Sequence, residues 1–277
     1  MLLGISTIIF EGYENIEPSE LESVKKAGFD YIEVSPYHEI TPKLKKFIDS
    51  IGISVLSMHA DYLNTDASSE DKKIRSKTLK IYKDTLNKAK ELGAKTVVIH
   101  PGTWLEYNRR KERLRRCAET FTELAIFSNK YGVKIAIENL PPGFICDNAD
   151  DLHFVLESVI NNSGKNCQAG ICLDTGHANI GNNLFTYIKR FGSHILSMHL
   201  HDNHGDTGKD KTFAEEDLHI LPGDGSVNWE TFFAELDSIN YENAFIFELM
   251  RENTKEKDIY KILSGVKEFL KYHEDLS

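Results

Sequence analysis

Five times along the chain a charged amphipathic stretch closes on glycine, and an apolar, β-branched run begins almost at once: KKAG-FDYIEV, DSIG-ISVLSMH, KELG-AKTVVIH, NKYG-VKIAIE and KRFG-SHILSMH. Glycine just past a helix adopts the left-handed cap conformation at little cost. A helix that hands over so quickly to a buried strand implies parallel strands joined by helical crossovers. The spacing predicts strands over 2–8, 29–34, 53–59, 95–100, 133–138, 170–174, 195–201 and 244–249. Helices are expected over 18–28, 41–51, 70–93, 109–132, 148–162, 183–192, 228–240 and 256–273. The strands read as near-continuous apolar runs (TVVIH, KIAIE, AFIFE), the pattern of a sheet covered on both faces.

Helix starts are marked as well. Ser19 with Glu22 fits a capping box, and Thr41 followed by Pro42 fits an N-cap and a first turn. Within 109–132, Leu114, Cys117, Ala118, Phe121, Leu124 and Ala125 recur at three- and four-residue steps and define one buried face. Eight strands alternating with eight helices in 277 residues match a single (β/α)8 TIM barrel spanning 1–277, with its site at the C-terminal ends of the strands. The competing fold, a doubly wound open sheet, usually carries a glycine-rich nucleotide turn after its first strand. GISTIIFEGYEN contains no G-x-G-x-x-G.

Composition excludes several classes. Apolar residues make up 40% and charged residues 27%, an ordinary globular balance. No apolar run approaches the ~20 residues that span a bilayer. MLLGISTIIF lacks a basic leader and a small-residue cleavage site, so it reads as a first strand and the protein is expected to be cytoplasmic. Four cysteines (Cys117, Cys146, Cys167, Cys172) at irregular spacings suggest neither a zinc knuckle nor a disulfide scaffold. With 33 basic against 43 acidic residues, the net charge of −10 argues against diffuse nucleic-acid binding. One basic patch, RRKERLRR from Arg109 to Arg116, reads as a solvated helix face or as a phosphate contact. Assembly into an oligomer stays open.

The strand ends carry the chemistry. The second strand bears Glu33, the third ends in His59, the fourth in His100, the fifth in Glu138 and the sixth in Asp174, with His177 three residues on. The seventh carries His199 and His201, and the eighth ends at Glu248. Converging carboxylates repel one another and are costly to bury, and a divalent cation removes that conflict. Mixed nitrogen and oxygen donors suit zinc, manganese or cobalt. The segment from Asp202 to about Val227 is long for a strand-to-helix connection, which suggests function. It holds Asp217 and His219 as D-x-H, a spacing that puts two ligand-type side chains on one side of an extended segment.

These segments, from SVLSMHADYLN through VVIHPG, AIENLPPG, ICLDTGHANIG, SMHLHDN and DLHILPGDG to FIFELM, resemble the xylose isomerase-like barrel superfamily. The resemblance is to the branch that joins endonuclease IV to sugar-phosphate isomerases and epimerases. It implies that His59, His100, Glu138, Asp174, His177, His199, Asp217, His219 and Glu248 occupy the positions that hold three zinc ions in endonuclease IV, with Glu138 bridging two. The epimerase relatives hold one metal with the counterparts of Glu138, Asp174, His199 and Glu248, and their two glutamates move protons. His201 stands where endonuclease IV-like sequences often have asparagine and is left outside the metal shell. SPYHEITP is short where endonuclease IV has a DNA-entering loop, and xylose isomerase's paired lysine motif has no counterpart.

Two enzymes fit one constellation. The first is a metal-dependent isomerase or epimerase of a small sugar or sugar phosphate, holding one Mn2+, Co2+ or Zn2+. In it Glu138 and Glu248 serve as base and acid about an enediolate, and His177 orients a substrate hydroxyl. Tyr62, Trp104, Asn139 and Phe144 are the expected substrate-pocket residues, and Arg109 the expected holder of a substrate phosphate. The alternative is an endonuclease IV-type phosphodiesterase with up to three zinc ions, cutting DNA at abasic sites. A metal-stabilised barrel without catalysis is the third reading.

Overall fold

In the computed structural model, which describes residues 2–10, 16–104, 107–208 and 212–274, eight parallel strands close into a barrel in sequence order. They are β1 (Leu2–Ser6), β2 (Tyr31–Val34), β3 (Ser54–His59), β4 (Thr96–Ile99), β5 (Lys134–Glu138), β6 (Ala169–Asp174), β7 (Ile195–Leu200) and β8 (Ala244–Phe247). The last seam pairs Leu2 with Ala244 through Ile5 with Phe247. The helices are α1 (Pro18–Lys26), α2 (Pro42–Ser50), α3 (Lys72–Leu92), α4 (Arg110–Ser128), α5 (Ala149–Asn162), α6 (Thr175–Ile180), α7 (Leu184–Phe191), α8 (Phe213–Glu216), α9 (Trp229–Ser238) and α10 (Ile259–Glu274). No helix among the described residues is long and apolar enough to cross a membrane.

The glycines of the repeated junction take the positive φ that their spacing predicts, although Gly192, with ψ at −116°, departs from the left-handed cap and opens a 3-10 turn before β7. Gly28, Gly52, Gly93, Gly132 and Gly192 all have positive φ, between 45° and 83°. Thr41 caps α2, its hydroxyl accepting from the Leu44 N–H, with Pro42 in the first turn. The first helix differs from expectation. Pro18, with its fixed φ, starts it earlier than a Ser19 cap allows, and the reciprocal box forms between Glu17 and Glu20 instead of Ser19 and Glu22.

Four strands stop short of their expected ends. β4 ends before His100, β7 before His201 and β8 before Glu248, so these polar residues sit where the ladder bonds give out. β1 ends at Ser6, and Thr7–Ile9 form a single 3-10 turn. Two helices are additional. α6 follows β6 at once because Asp174 is a good N-cap, and α8 lies inside the long 202–227 connection, of which 209–211 fall outside the described residues.

Side chains alternate across each strand and divide the core in two. Ile135 and Ile137, Ile171 and Leu173, and Phe245 and Phe247 join the large shell between strands and helices. Val98, Ala136 and Cys172 with Leu196, and Leu56, Ala244 and Ile246 with Tyr31, form two small separate groups on the opposite, inward face. On β5 the inward position after Ala136 is Glu138. On β6 the one after Cys172 is Asp174, and on β8 the one after Ile246 is Glu248. Period two thus delivers the strand-end carboxylates to one ring above an apolar floor.

Candidate metal centre

The register sets the heart of the ring. Asp174 lies beside His199 across the β6–β7 seam, and Glu138 lies beside Cys172 across β5–β6. His199 Nδ1 faces Glu138 Oε1 at 3.1 Å, Glu248 Oε2 at 3.3 Å and Asp174 Oδ2 at 3.8 Å. Ligand atoms of these four residues all lie within 4.8 Å of one another. The other oxygen of Glu138 stands 3.0 Å from His59 Nε2 and 3.1 Å from His100 Nε2. His59, Glu138 and His199 form a second grouping with the same tight spacing.

A further cluster hangs from α6 and the long connection. The Asp174 carboxylate caps α6 by accepting from the His177 N–H at 2.7 Å, which brings the His177 ring back over the barrel. Asp217 Oδ2 lies 3.3 Å from His177 Nε2 and 2.9 Å from His219 Nε2. The connection is fastened by Asp202. Its carboxylate accepts from the backbone N–H groups of Asn203, Gly223 and Val227 and from the indole N–H of Trp229. Gly225 has to be glycine here, because a Cβ would stand 2.2 Å from an Asp202 oxygen.

Backbone carbonyls orient three of the rings. Nδ1 of His59, His177 and His219 donates to the carbonyls of Ala60, Asn139 and Glu248, at 2.8, 2.9 and 2.9 Å. A carbonyl only accepts, so the proton of the neutral ring sits on Nδ1 and the Nε2 lone pair faces the carboxylates. That is the arrangement of metal-binding histidines, whose second nitrogen is usually held by a carbonyl or carboxylate.

The electrostatics point the same way. Glu33, Glu138, Asp174, Asp217 and Glu248 have only imidazoles as ion partners among the described residues. Burial raises the Glu138 carboxyl, but His199 and His100 outweigh it and hold the group well below the usual carboxylate range. Burial likewise opposes ionisation of Asp217, and His219 and His177 reverse the balance. Burial pulls His219 down, yet Asp217, with Glu248 and Asp174, carries it to about 9. His177 and His199 also end well above their ordinary values despite burial, and His59 ends above its own. His100 goes the other way, because burial dominates over Glu138. Protons therefore supply the counter-charge that the carboxylates need.

A divalent cation fits this donor set. Asp217 Oδ1 and His201 Nδ1 are buried with no hydrogen-bond partner, and mixed carboxylate and imidazole donors suit zinc, manganese or cobalt. The structure thus brings together all nine expected ligands.

The expected substrate residues divide. The Tyr62 ring stacks on His100 at 4.8 Å and meets His59 edge-on at 5.5 Å, and its hydroxyl pairs with that of Tyr37. Trp104 and Phe144 lie against each other at 4.4 Å, with Trp104 60% exposed, and pack where Gly143 leaves space. Asn139 is fully buried and tied to the β6 backbone. It donates to the Asp174 carbonyl at 3.1 Å and accepts from the Asp174 N–H at 2.8 Å. Arg109 is not drawn into the ring, and its guanidinium pairs with the exposed Glu70.

Two residues outside the expected ligand set are integral to the ring. His201, fully buried, holds Asp174 Oδ2 at 2.9 Å and stacks on His219 at 3.8 Å. A Cβ on Gly176 would come within 2.0 Å of the His201 ring, which explains the glycine of the LDTGH segment. Glu33, also fully buried, reaches His199 Nε2 at 3.0 Å. Its signal in the sequence was a carboxylate inside an apolar strand, YIEV, instead of at its end.

A closed parallel (β/α)8 barrel whose strand ends gather imidazoles and carboxylates defines the class, and its donor cluster suits a divalent cation. The chain belongs to the xylose isomerase-like TIM barrel family, whose model matches residues 21–269. It is similar to a D-psicose 3-epimerase of Agrobacterium fabrum, with 28% identity over 92% of this chain and 88% of that protein. An inosose isomerase of Halalkalibacterium halodurans is 26% identical over 84% of this chain and 82% of that protein. Among solved structures, a D-tagatose 3-epimerase-like protein superposes with a TM-score of 0.80 at 25% identity, covering 100% of this chain and 98% of that one. The IolI protein with a bound zinc atom superposes with a TM-score of 0.83 at 20% identity, covering 99% of each chain.

Proposed function

We propose that the chain is a divalent-metal-dependent isomerase or epimerase of a small sugar or sugar phosphate. The observation that carries this reading is the gathering of Glu138, Asp174, His199 and Glu248 within 4.8 Å, with an oxygen of Glu138 at 3.1 Å and one of Glu248 at 3.3 Å from the same nitrogen of His199. The sugar isomerases and epimerases among the relatives support the same reading.

A divalent cation bound there, Zn2+, Mn2+ or Co2+, would supply positive charge to adjacent carbonyl and hydroxyl oxygens of a sugar and acidify the C–H between them. Glu138 takes the proton from that carbon. His59 and His100 stand against its second oxygen, and His199 and His100 keep the carboxylate ionised until the transfer. Glu248 returns a proton from the other side, so the carbon inverts and one proton leaves as one arrives. His177, whose ring is aimed by Asn139 and the α6 cap, orients a substrate hydroxyl. Tyr62 walls the pocket beside His59 and His100, with Trp104 and Phe144 at its edge. Arg109 is the proposed holder of a substrate phosphate, in competition with Glu70.

The test is exchange of solvent deuterium into ketohexoses, inososes and their phosphates by the metal-loaded protein. Glu138→Gln is expected to slow exchange by about 10²–10⁴-fold, the usual contribution of a positioned acid–base group. Undiminished exchange by Glu138→Gln would end this reading. The cluster of His177, Asp217 and His219 is what favours the alternative, a zinc phosphodiesterase acting at abasic sites in DNA. Cleavage of a duplex bearing one abasic site by zinc-loaded protein would establish that activity instead.

A further inference from the structure

His199 is oriented differently from the rings that lean on backbone carbonyls. Its Nδ1 faces Glu138, Glu248 and Asp174, and its Nε2 points back into the barrel wall, where it meets Glu33 Oε1 at 3.0 Å. Both atoms are buried without a hydrogen bond of ordinary geometry, so the ion-pair contact between them is what each has for a partner. Glu33 is fully buried, and its other oxygen accepts from the Ser57 hydroxyl at 2.6 Å. The backbone is shaped for this contact. The β2–β3 register shifts between Ile32 and Glu33, so that Glu33 pairs with Ser57. Such irregularities re-aim side chains beside functional sites.

We propose that Glu33 is the positioning residue of the metal centre, fixing the tautomer and the plane of the His199 ring. An ionised carboxylate only accepts, so the neutral ring places its proton on Nε2, facing Glu33, and leaves the Nδ1 lone pair among Glu138, Asp174 and Glu248. Ser57 holds Glu33 from the other side and sets its angle. Glu33 touches neither metal nor substrate and acts through His199, in the manner of the carboxylates that hold ligating imidazoles from behind. Loss of such a partner typically weakens metal binding by about 10–100-fold. A carboxamide at the same place can instead donate to Nε2 and favour the opposite tautomer, with the proton on Nδ1 and no lone pair for the metal.

This inference rests on the proposed metal centre, and its test separates the two. Protein freed of metal with chelator is titrated with Zn2+ and Co2+ against a chromophoric competitor, for wild type, Glu33→Gln and Ser57→Ala. Wild type that takes up no metal would sink the metal reading itself. Wild-type uptake with about 10–100-fold weaker binding in Glu33→Gln, a smaller loss in Ser57→Ala and an altered Co2+ visible spectrum is the expected result. Equal affinity and an unchanged spectrum in folded Glu33→Gln would reduce Glu33 to packing. Should Glu33→Gln fail to fold, 15N spectra of histidine-labelled, zinc-loaded wild type decide the matter. His199 is expected to carry its proton on Nε2, and a proton on Nδ1 would overturn the proposal.

Discussion

The ring is built in two ways. Glu33, His59, Glu138, Asp174 and His199 stand on strands, where hydrogen-bond register places them to within a residue. Asp217 and His219 stand on a long connection, placed by the four bonds that Asp202 accepts and by the His219 bond to the Glu248 carbonyl. Both parts bury carboxylates against imidazoles, so burial does not distinguish them. What differs is the source of rigidity: the strand-borne part inherits it from the barrel, and the loop-borne part draws it from a few local bonds, those to the Asp202 carboxylate foremost. The first part cannot move without opening the sheet. The second can be released locally, with the barrel intact.

The largest effect should come from removing the imidazole shared by the strand-borne carboxylates. His199→Gln leaves Glu33 and Glu138 buried with less counter-charge, and breaking a buried pair from one side costs about 3–5 kcal/mol. Urea unfolding in chelator should show that loss, and metal uptake should disappear. His219→Ala should cost only ~1–3 kcal/mol, because Asp217 keeps His177 as a partner. If the two variants lose equal stability, the strand-borne part has no mechanical privilege.

Asp202→Ala sharpens the contrast from the other side. It strips acceptors from three backbone N–H groups and one indole while leaving every strand untouched. Unsatisfied buried donors cost about 1–3 kcal/mol each, although relaxation and water entry recover part of that in a loop. Limited proteolysis should cut this variant within 204–222 while binding of one metal by Glu138, Asp174, His199 and Glu248 survives. Uncut protein would show that the connection is held by something else.

The pH dependence follows from protons standing where a cation fits. A histidine whose pKa rises on folding contributes stability that is complete below its unfolded value and fades as pH climbs through the folded one. For His219 that window runs from 6.5 to about 9. Lowered carboxylates such as Glu138 and Asp217 act oppositely, and their contribution fades only in acid. Chelated protein should therefore melt at lower temperature at pH 9 than at pH 7. Metal-loaded protein, whose ligating imidazoles are neutral, should change less. Calorimetric titration at pH 7 in buffers of different ionisation enthalpy should reveal protons released on metal uptake. A buffer-independent heat would mean that the rings are already neutral.

The same division explains what the sequence made legible. Glycine-closed helices, apolar runs and titratable strand ends are local signals, and each inward position is fixed by period two. Glu138, Asp174 and Glu248 could therefore be placed from their strands alone. Glu33 and His201 could not. One is recognisable only once the closed barrel brings His199 to it and a register shift brings Ser57 opposite it, and the other only after Gly176 clears space for its ring. The capping box moved from Ser19 to Glu17 because proline geometry outranks cap preference, and α6 was hidden because Asp174 ends a strand and starts a helix at once.

The basic patch provides the smallest effect and the sharpest limit on reading charge from sequence. RRKERLRR offers six positive charges, and the fold commits several of them internally. Arg113 is buried, binding the Trp104 carbonyl, Ser68 and Asp66, and Arg110 pairs with Asp147 and Asp151. Arg109 pairs with the exposed Glu70, where solvent screens the attraction. Arg109→Ala should leave the melting temperature within about a degree of wild type. If Arg109 exchanges Glu70 for a substrate phosphate, KM for the phosphorylated sugar should rise several-fold while KM for the free sugar holds. Equal KM values for both would return Arg109 to the solvated helix face and make the free sugar the better substrate class.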